Sequence, residues 1–472
     1  MKTMKLLLMF AMLVPAGPYA LAQESDASTS VEDRTDVAVT IYNNNLALVR
    51  DRRALDLPTG EFLLRFGDVA EQIKPETVSL RSIAQEGSLA VLEQNYEYDL
   101  ISPQKLMEKY VGKTVKLRDF SEDVDMPLYV DAELLSVNQG PIYKVDDEIY
   151  LGHPGQVVLP KIPENLIAEP SLIWVLNNSR AQQEIEATYL TNGLNWKADY
   201  VLSVNEDSTE MDVAGWVTLN NQSGAAYEEA KLKLVAGDVN IARPEMKDFA
   251  MMEAQAMRAQ AAPQMQQESF AEYHLYTLPR RTTIKQNQSK QVSLLTAEGV
   301  EIEKVYEYRG NTSYYSQQIG RIENEKVDVM VTFQNSEENS MGMPLPAGIM
   351  RMYQADSDGM MQFAGEDRID HTPKDEEVRL TMGQAFDIVA ERVQTDFTKL
   401  GSTVYEAAFE ITIRNHKEED VTVDVVEPMP GDWDVLSNSH EFEKKDAFTA
   451  IFPVEVEADG ESVLEYRVRV QY

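Results

Sequence analysis

Along most of the chain, apolar and polar residues alternate with a period of two, the pattern of strands that bury one face. Residues 37–49 (VAVTIYNNNLALV) alternate on both sides of an asparagine-rich turn and predict a hairpin. The pattern continues at 62–66 and 78–80, resumes at 114–117, 142–145 and 172–176, and runs from 273 to the C-terminus. One short helix interrupts it, predicted over 103–111. Ser102 is its N-cap, Pro103 its first residue and Gly112 its stop, with Leu106, Met107, Tyr110 and Val111 on one face. Pro154, Pro160, Pro163 and Pro170 exclude a central strand between them, because proline cannot donate to a ladder. An extended connector is expected there, with a domain boundary near Leu176.

Three segments share one template: β-branched, Thr, apolar, any residue, Asn. They are Val217–Asn221, Val331–Asn335 and Ile411–Asn415, written with their end residues. Each ends an alternating run and precedes a polar stretch, as where a strand stops, turns and returns in an immunoglobulin-like sandwich, with Asn suited to a left-handed turn. Residues 246–267 differ, being rich in Met, Ala and Gln. Such residues favour helix, and the stretch reads as a flexible or helical excursion, or as an adaptable Met-rich surface. The expected fold class is therefore all-β, a multidomain β-sandwich of immunoglobulin-like units with one short helix. The expected parts are an N-terminal β region over 37–176, a central sandwich over 177–345 holding the 246–267 insertion, and a C-terminal sandwich over 346–472.

The N-terminus predicts export. Lys2 and Lys5 precede an apolar run from Leu6 to Val14, and Ala20-Leu21-Ala22 offers a small-x-small cleavage pattern. The run is too short to cross a bilayer, which takes about 20 residues. Residues 1–22 are read as a signal peptide and 23–36, polar and acidic, as a disordered leader. The expected location is periplasmic or extracellular, with no transmembrane helix after cleavage. The net charge is −36, from 79 acidic and 43 basic side chains, and a surface of that sign repels nucleic acid. The chain has no cysteine, which excludes disulfides, zinc ribbons, iron–sulfur clusters and thiol catalysis.

No nucleophile elbow, metalloprotease pair or phosphate-binding glycine loop occurs. One acidic run offers metal-ligand chemistry: Asp356 and Asp358, then Glu366 and Asp367, then Asp370 and His371. Clustered carboxylates suit Ca²⁺ or another divalent ion, although an EF-hand loop fails here because Met361 stands where its glycine belongs. Asp356-Ser357-Asp358-Gly359 equally fits a hairpin turn, in which case no cofactor is bound. The final segment, 466–472, alternates as an outer-membrane barrel strand or a last sandwich strand would.

Several segments together resemble a bacterial family related to mucoidy inhibitor A, whose C-terminal part is catalogued as a domain of unknown function of the 4139 type. They are 189–200 (YLTNGLNWKADY), 215–238, 274–281 (HLYTLPRR), 344–348 (PLPAG), 365–373 (GEDRIDHTP) and 383–387 (GQAFD). The resemblance implies a secreted, mostly β protein and supplies no catalytic residues. Its aromatic hallmarks Tyr189, Trp196, Tyr200 and Trp216 are expected to fill a core, the alternative being a sugar-stacking surface. The leading functional expectation is a non-enzymatic exported envelope protein that binds a protein or polysaccharide. One alternative is a metal-assisted hydrolase of cell-wall or extracellular polymer using Glu366, Asp367, Asp370 and His371. A lesser one is an outer-membrane β-barrel.

Overall fold

The structure, a computed structural model, describes residues 26–83, 85–97, 101–119, 128–152, 155–163, 166–167, 169–237, 265–270 and 273–472. The expected signal peptide and residues 246–264 of the insertion lie outside them. The protein is all-β, with strands in several sheets and, among the described residues, one α-helix, Pro103–Tyr110. Two compact units divide the chain: 26–36 with 51–189, and 37–50 with 190–472.

In the first unit, a four-stranded sheet runs in the order Asp26–Thr29, Gly60–Phe66, Ser171–Asn178, Leu89–Glu97. Its buried face centres on Trp174, which meets Phe66 edge to face at 5.6 Å. A second, five-stranded sheet has the order Glu148–Leu151, Ile142–Val145, Leu128–Ser136, Thr114–Asp119, Gln156–Val158. The helix packs Met107 and Tyr110 into the core of that sheet with Val115, Leu117, Ala132, Leu134 and Tyr143. Ser102 caps it by accepting from Lys105 N at 3.2 Å, and Gly112 follows with φ of 77°. Val111, expected on the apolar face, is exposed because the helix ends one residue earlier.

Residues 26–36 are not a disordered leader. Asp26–Thr29 pairs in parallel with Gly60–Phe66, and a single 3-10 turn follows, closed by a capping box between Ser30 and Asp33. The composition there is polar because its side chains are spent on hydrogen bonds: Thr29 donates to Asp33 (2.8 Å) and receives from Arg53 (3.3 Å).

In the second unit, a five-stranded sheet has the order Gln288–Glu301, Glu210–Asn221, Leu194–Val204, Gly348–Ala355, Met361–Ile369. The nine-stranded sheet begins Asp432–Asn438, Glu461–Gln471, Val404–Asn415, Glu377–Lys399, Arg321–Gln334 and continues Glu303–Arg309, Val421–Pro428, Thr449–Val456, Glu443–Asp446. Its two halves share one core, in which Phe452 stacks on Tyr466 at 5.1 Å and Phe409 lies tilted against Tyr466 at 5.3 Å. A boundary at 345/346 does not separate the two sheets. Gly348–Ala355 pairs in parallel with Leu194–Val204, whereas Glu303–Arg309 and Arg321–Gln334 join the nine-stranded sheet. Alternation reveals which face of a strand is buried but not which strand lies beside it.

The barrel reading is corrected by the last strand, Glu461–Gln471. It lies inside a sheet that, among the described residues, stays open, with Asp432–Asn438 and Glu443–Asp446 as its end strands. Leu464, Tyr466, Val468 and Val470 face the core, while Arg467 and Arg469 pair outward with Asp396 (2.7 Å) and Glu406 (2.6 Å).

The asparagine template has a physical cause. Asn221, Asn335 and Asn415 are fully buried, and each side chain closes the turn that follows its strand. Asn221 Nδ2 donates to the Ala225 and Lys285 carbonyls (2.8 and 3.0 Å), and Asn335 Nδ2 to those of Met343 and Pro373 (both 2.9 Å). Asn415 Nδ2 reaches the Glu419 and Glu457 carbonyls (2.8 and 3.1 Å). Their Oδ1 atoms accept from Ser223, Gly342 and Lys417 N–H groups. None of the three has a left-handed backbone, so asparagine stands there for its amide and not for backbone tolerance. Asn178, outside the template, does the same in the first unit, donating to the Pro58 and Arg180 carbonyls.

Tyr189 is buried in the first unit, and in the second Trp196 and Tyr200 are buried in the core, as expected, with Trp216 half-buried. The PLPAG segment completes this core: the Pro346 carbonyl accepts from Tyr200 Oη (2.8 Å) and the Pro344 carbonyl from Tyr276 Oη (2.9 Å).

Candidate functional site

The six acidic-run candidates do not converge. Asp356 folds back on its own hairpin, accepting from Asp358 N (3.1 Å), Met360 N (2.9 Å) and Gln362 Nε2 (2.9 Å). Those bonds hold its carboxyl below the usual range, the Gln362 amide contributing most. Asp358 stays in the exposed turn. Glu366 pairs with Arg351 (3.1 Å), Asp367 accepts from Thr381 N (2.8 Å), Asp370 is exposed, and His371 Nδ1 accepts from Ala347 N (3.1 Å). Among the described residues, no three His, Asp or Glu side chains are placed to share a metal ion. The segment is a turn and an edge strand held by local bonds.

The densest ionisable cluster lies elsewhere, between residues that no local motif connects. Arg392, on strand Glu377–Lys399, donates from Nη2 to Glu427 Oε1 at 2.5 Å, and neither side chain is exposed at all. Tyr315, from the 3-10 turn Thr312–Tyr315, donates to Glu427 Oε2 and lies 3.1 Å from the Tyr466 hydroxyl. Arg392 Nε donates to Tyr308 Oη (3.0 Å), which in turn donates to Glu325. Arg392 Nη1 has no oxygen partner, but Tyr308, Tyr314 and Phe409 place their rings 5.1–5.6 Å from the guanidinium carbon and supply π faces instead. Gly310 leaves the space for Glu427, since a Cβ there would lie 2.9 Å from its carboxyl carbon. Burial alone would pull the guanidinium down, but the Glu427 charge holds it well above its ordinary value. Burial and the same carboxylate push the Tyr315 and Tyr466 hydroxyls well up. Arg392, Glu427 and Tyr315 at its centre are fully buried, Glu325 and Tyr314 at its margin are half-buried, and the cluster pins the two halves of the sandwich.

The first unit has a counterpart. Asp51 Oδ2 accepts from Arg34 Nη2 (2.8 Å) and Arg53 Nη2 (3.0 Å), and Arg53 lies over the Phe66 ring at 3.6 Å. Nearby, Glu186 is buried between Arg52 (2.7 Å) and Arg81 (2.6 Å). Burial by itself would raise the Glu186 carboxyl, but the hydrogen bonds from Arg52 and Arg81 outweigh it and hold the group below its ordinary 4.5. A carboxyl held low in the folded state stabilises fully above its ordinary value, and that stabilisation is lost as pH falls through the folded-state value. The urea midpoint should therefore fall on acidification below about pH 5 less steeply in Glu186→Gln than in the parent protein. At pH 7 the variant's midpoint should be the lower of the two.

What the surface offers is an edge. Strand Glu148–Leu151 ends the small five-stranded sheet, and all four of its residues are exposed, Ile149 by 65% and Leu151 by 85%. Leu135 and Tyr150 add exposed apolar area on the same small sheet. Sequence reasoning missed this feature because EIYL reads locally like any half-buried strand.

Fold and surface together define an all-β, multi-sheet protein with buried ion pairs inside its sheets and an exposed apolar strand at one sheet edge. Residues 185–472 match the family described as a domain of unknown function, DUF4139, and the chain belongs to that family. No curated protein matches the chain. Among the described residues, no helix is long and apolar enough to cross a membrane.

Proposed function

We propose that this protein is a non-catalytic, exported β protein that works by binding another macromolecule of the cell envelope through its surface. The observation that supports binding is the exposed apolar edge at Glu148–Leu151, since unpaired strand edges invite additional strands. The N-terminal sequence supports export, with its lysines, apolar run and Ala20-Leu21-Ala22. The resemblance to the family related to mucoidy inhibitor A fits an envelope role, and the immunoglobulin-like reading of the sandwiches fits a recognition module.

The test has two readouts on the full chain produced in a bacterial host. Mass spectrometry of the osmotic-shock or culture fraction should find a product beginning at Gln23. That product should bind isolated envelopes with a saturable isotherm. A chain that keeps Met1 in the cytosol, or retention that rises linearly without saturation, would sink this reading.

A further inference from the structure

Resting on that reading, the geometry points to a particular docking site: the free edge of Glu148–Leu151 takes an extended protein segment in which apolar residues alternate with Lys or Arg. The hairpin fixes which backbone groups are free. Val145 pairs with Glu148 across the Asp146-Asp147 turn, Tyr143 with Tyr150, and Gly152 N donates to the Pro141 carbonyl at 2.9 Å. In an antiparallel ladder, hydrogen-bonded and non-bonded pairs alternate. Residues 148, 150 and 152 therefore point their N–H and C=O groups inward. Ile149 and Leu151, opposite Lys144 and Ile142, point theirs outward. No other strand pairs with that side among the described residues. The same two residues carry the two most exposed apolar side chains of the small sheet, so backbone donors, backbone acceptors and apolar contact area coincide.

Charge selects the occupant. Asp146, Asp147 and Glu148 lead directly into the edge, and the strand itself contains no lysine or proline of the kind that blunts natural edges. A second copy of the chain would bring the same acidic triplet and another net charge of −36. A segment alternating apolar residues with Lys or Arg matches on both counts, its apolar side chains beside Ile149 and Leu151 and its cations toward the acids.

The probe is the blocked, fluorescent hexapeptide Lys-Val-Lys-Val-Lys-Val, titrated against the full chain at low salt, with Glu-Val-Glu-Val-Glu-Val as its charge-reversed match. The lysine peptide should bind saturably, slow hydrogen exchange at the Ile149 and Leu151 amides, and weaken as salt rises. Leu151→Pro deletes an outward N–H and no hairpin bond, and should weaken binding about tenfold. Ile149→Thr with Leu151→Thr keeps the backbone edge and should also weaken binding, through loss of apolar area; circular dichroism and thermal melting establish that both variants fold. Unchanged affinity in the folded proline variant, equal binding of the glutamate peptide, or a sedimenting dimer that the proline variant abolishes would each overturn the assignment. Saturable envelope retention that survives Leu151→Pro would overturn this site while leaving the proposed function standing.

Discussion

Replacing Glu427 by alanine should lower the unfolding free energy of the second unit by about 3–5 kcal/mol, the usual cost of breaking a buried ion pair from one side. The cause is the charge left behind. Arg392 is fully buried and its guanidinium cannot shed its proton, so removing the carboxylate strands a cation among Tyr308, Tyr314 and Phe409. Urea unfolding followed by tryptophan fluorescence measures it. Arg392→Met combined with Glu427→Leu should recover most of the loss, because apolar side chains of similar volume often replace a buried pair at little cost. If the double variant is as unstable as the single one, the Tyr315 and Tyr466 hydroxyls, and not the ion pair, hold the sandwich together.

Asp51→Ala should have an effect of similar size in the first unit, again about 3–5 kcal/mol. One carboxylate there serves both Arg34 and Arg53, and Arg53 has no exposed side-chain surface. Arg53→Met should cost less, since Asp51 keeps Arg34 and a methionine can still lie on the Phe66 ring. Thermal or urea melts of the two variants give the ranking. Reversal of that ranking would mean that the stacking of Arg53 on Phe66 outweighs its ion pair.

The parts of the fold legible in the sequence are those set by neighbours in the chain. Period-two alternation marks the strands, Ser102, Pro103 and Gly112 bracket the helix, and the strand-ending asparagines repeat because each closes its own turn. Pairing is not legible in this way. Leu194–Val204 lies beside Gly348–Ala355 through a parallel register of Ala198 with Gly348, some 150 positions away, and no local pattern encodes that choice. The same distance hides the buried clusters: Tyr315, Arg392 and Glu427 look individually like ordinary surface-type or core residues. Conversely, the acidic run from Asp356 to His371 attracts notice by proximity in sequence, yet a strand turns alternate side chains to opposite faces and scatters its members. The exposed edge was invisible for a further reason, since the period of a strand is the same whether it has one neighbour or two.

The tip 37–50 belongs to the second compact unit although the residues on either side belong to the first. Its strand lies parallel to Tyr227–Ala236, with Ala38 beside Lys231 and Tyr42 beside Val235. The family's sequence match begins only at 185, so a gene fragment cut to that match omits a strand its own sheet requires. During synthesis, this strand leaves the ribosome almost two hundred residues before its partner and must wait for it. An autonomous truncation therefore has to graft 37–50 back on, and a single cut anywhere between 51 and 189 divides both bodies at once.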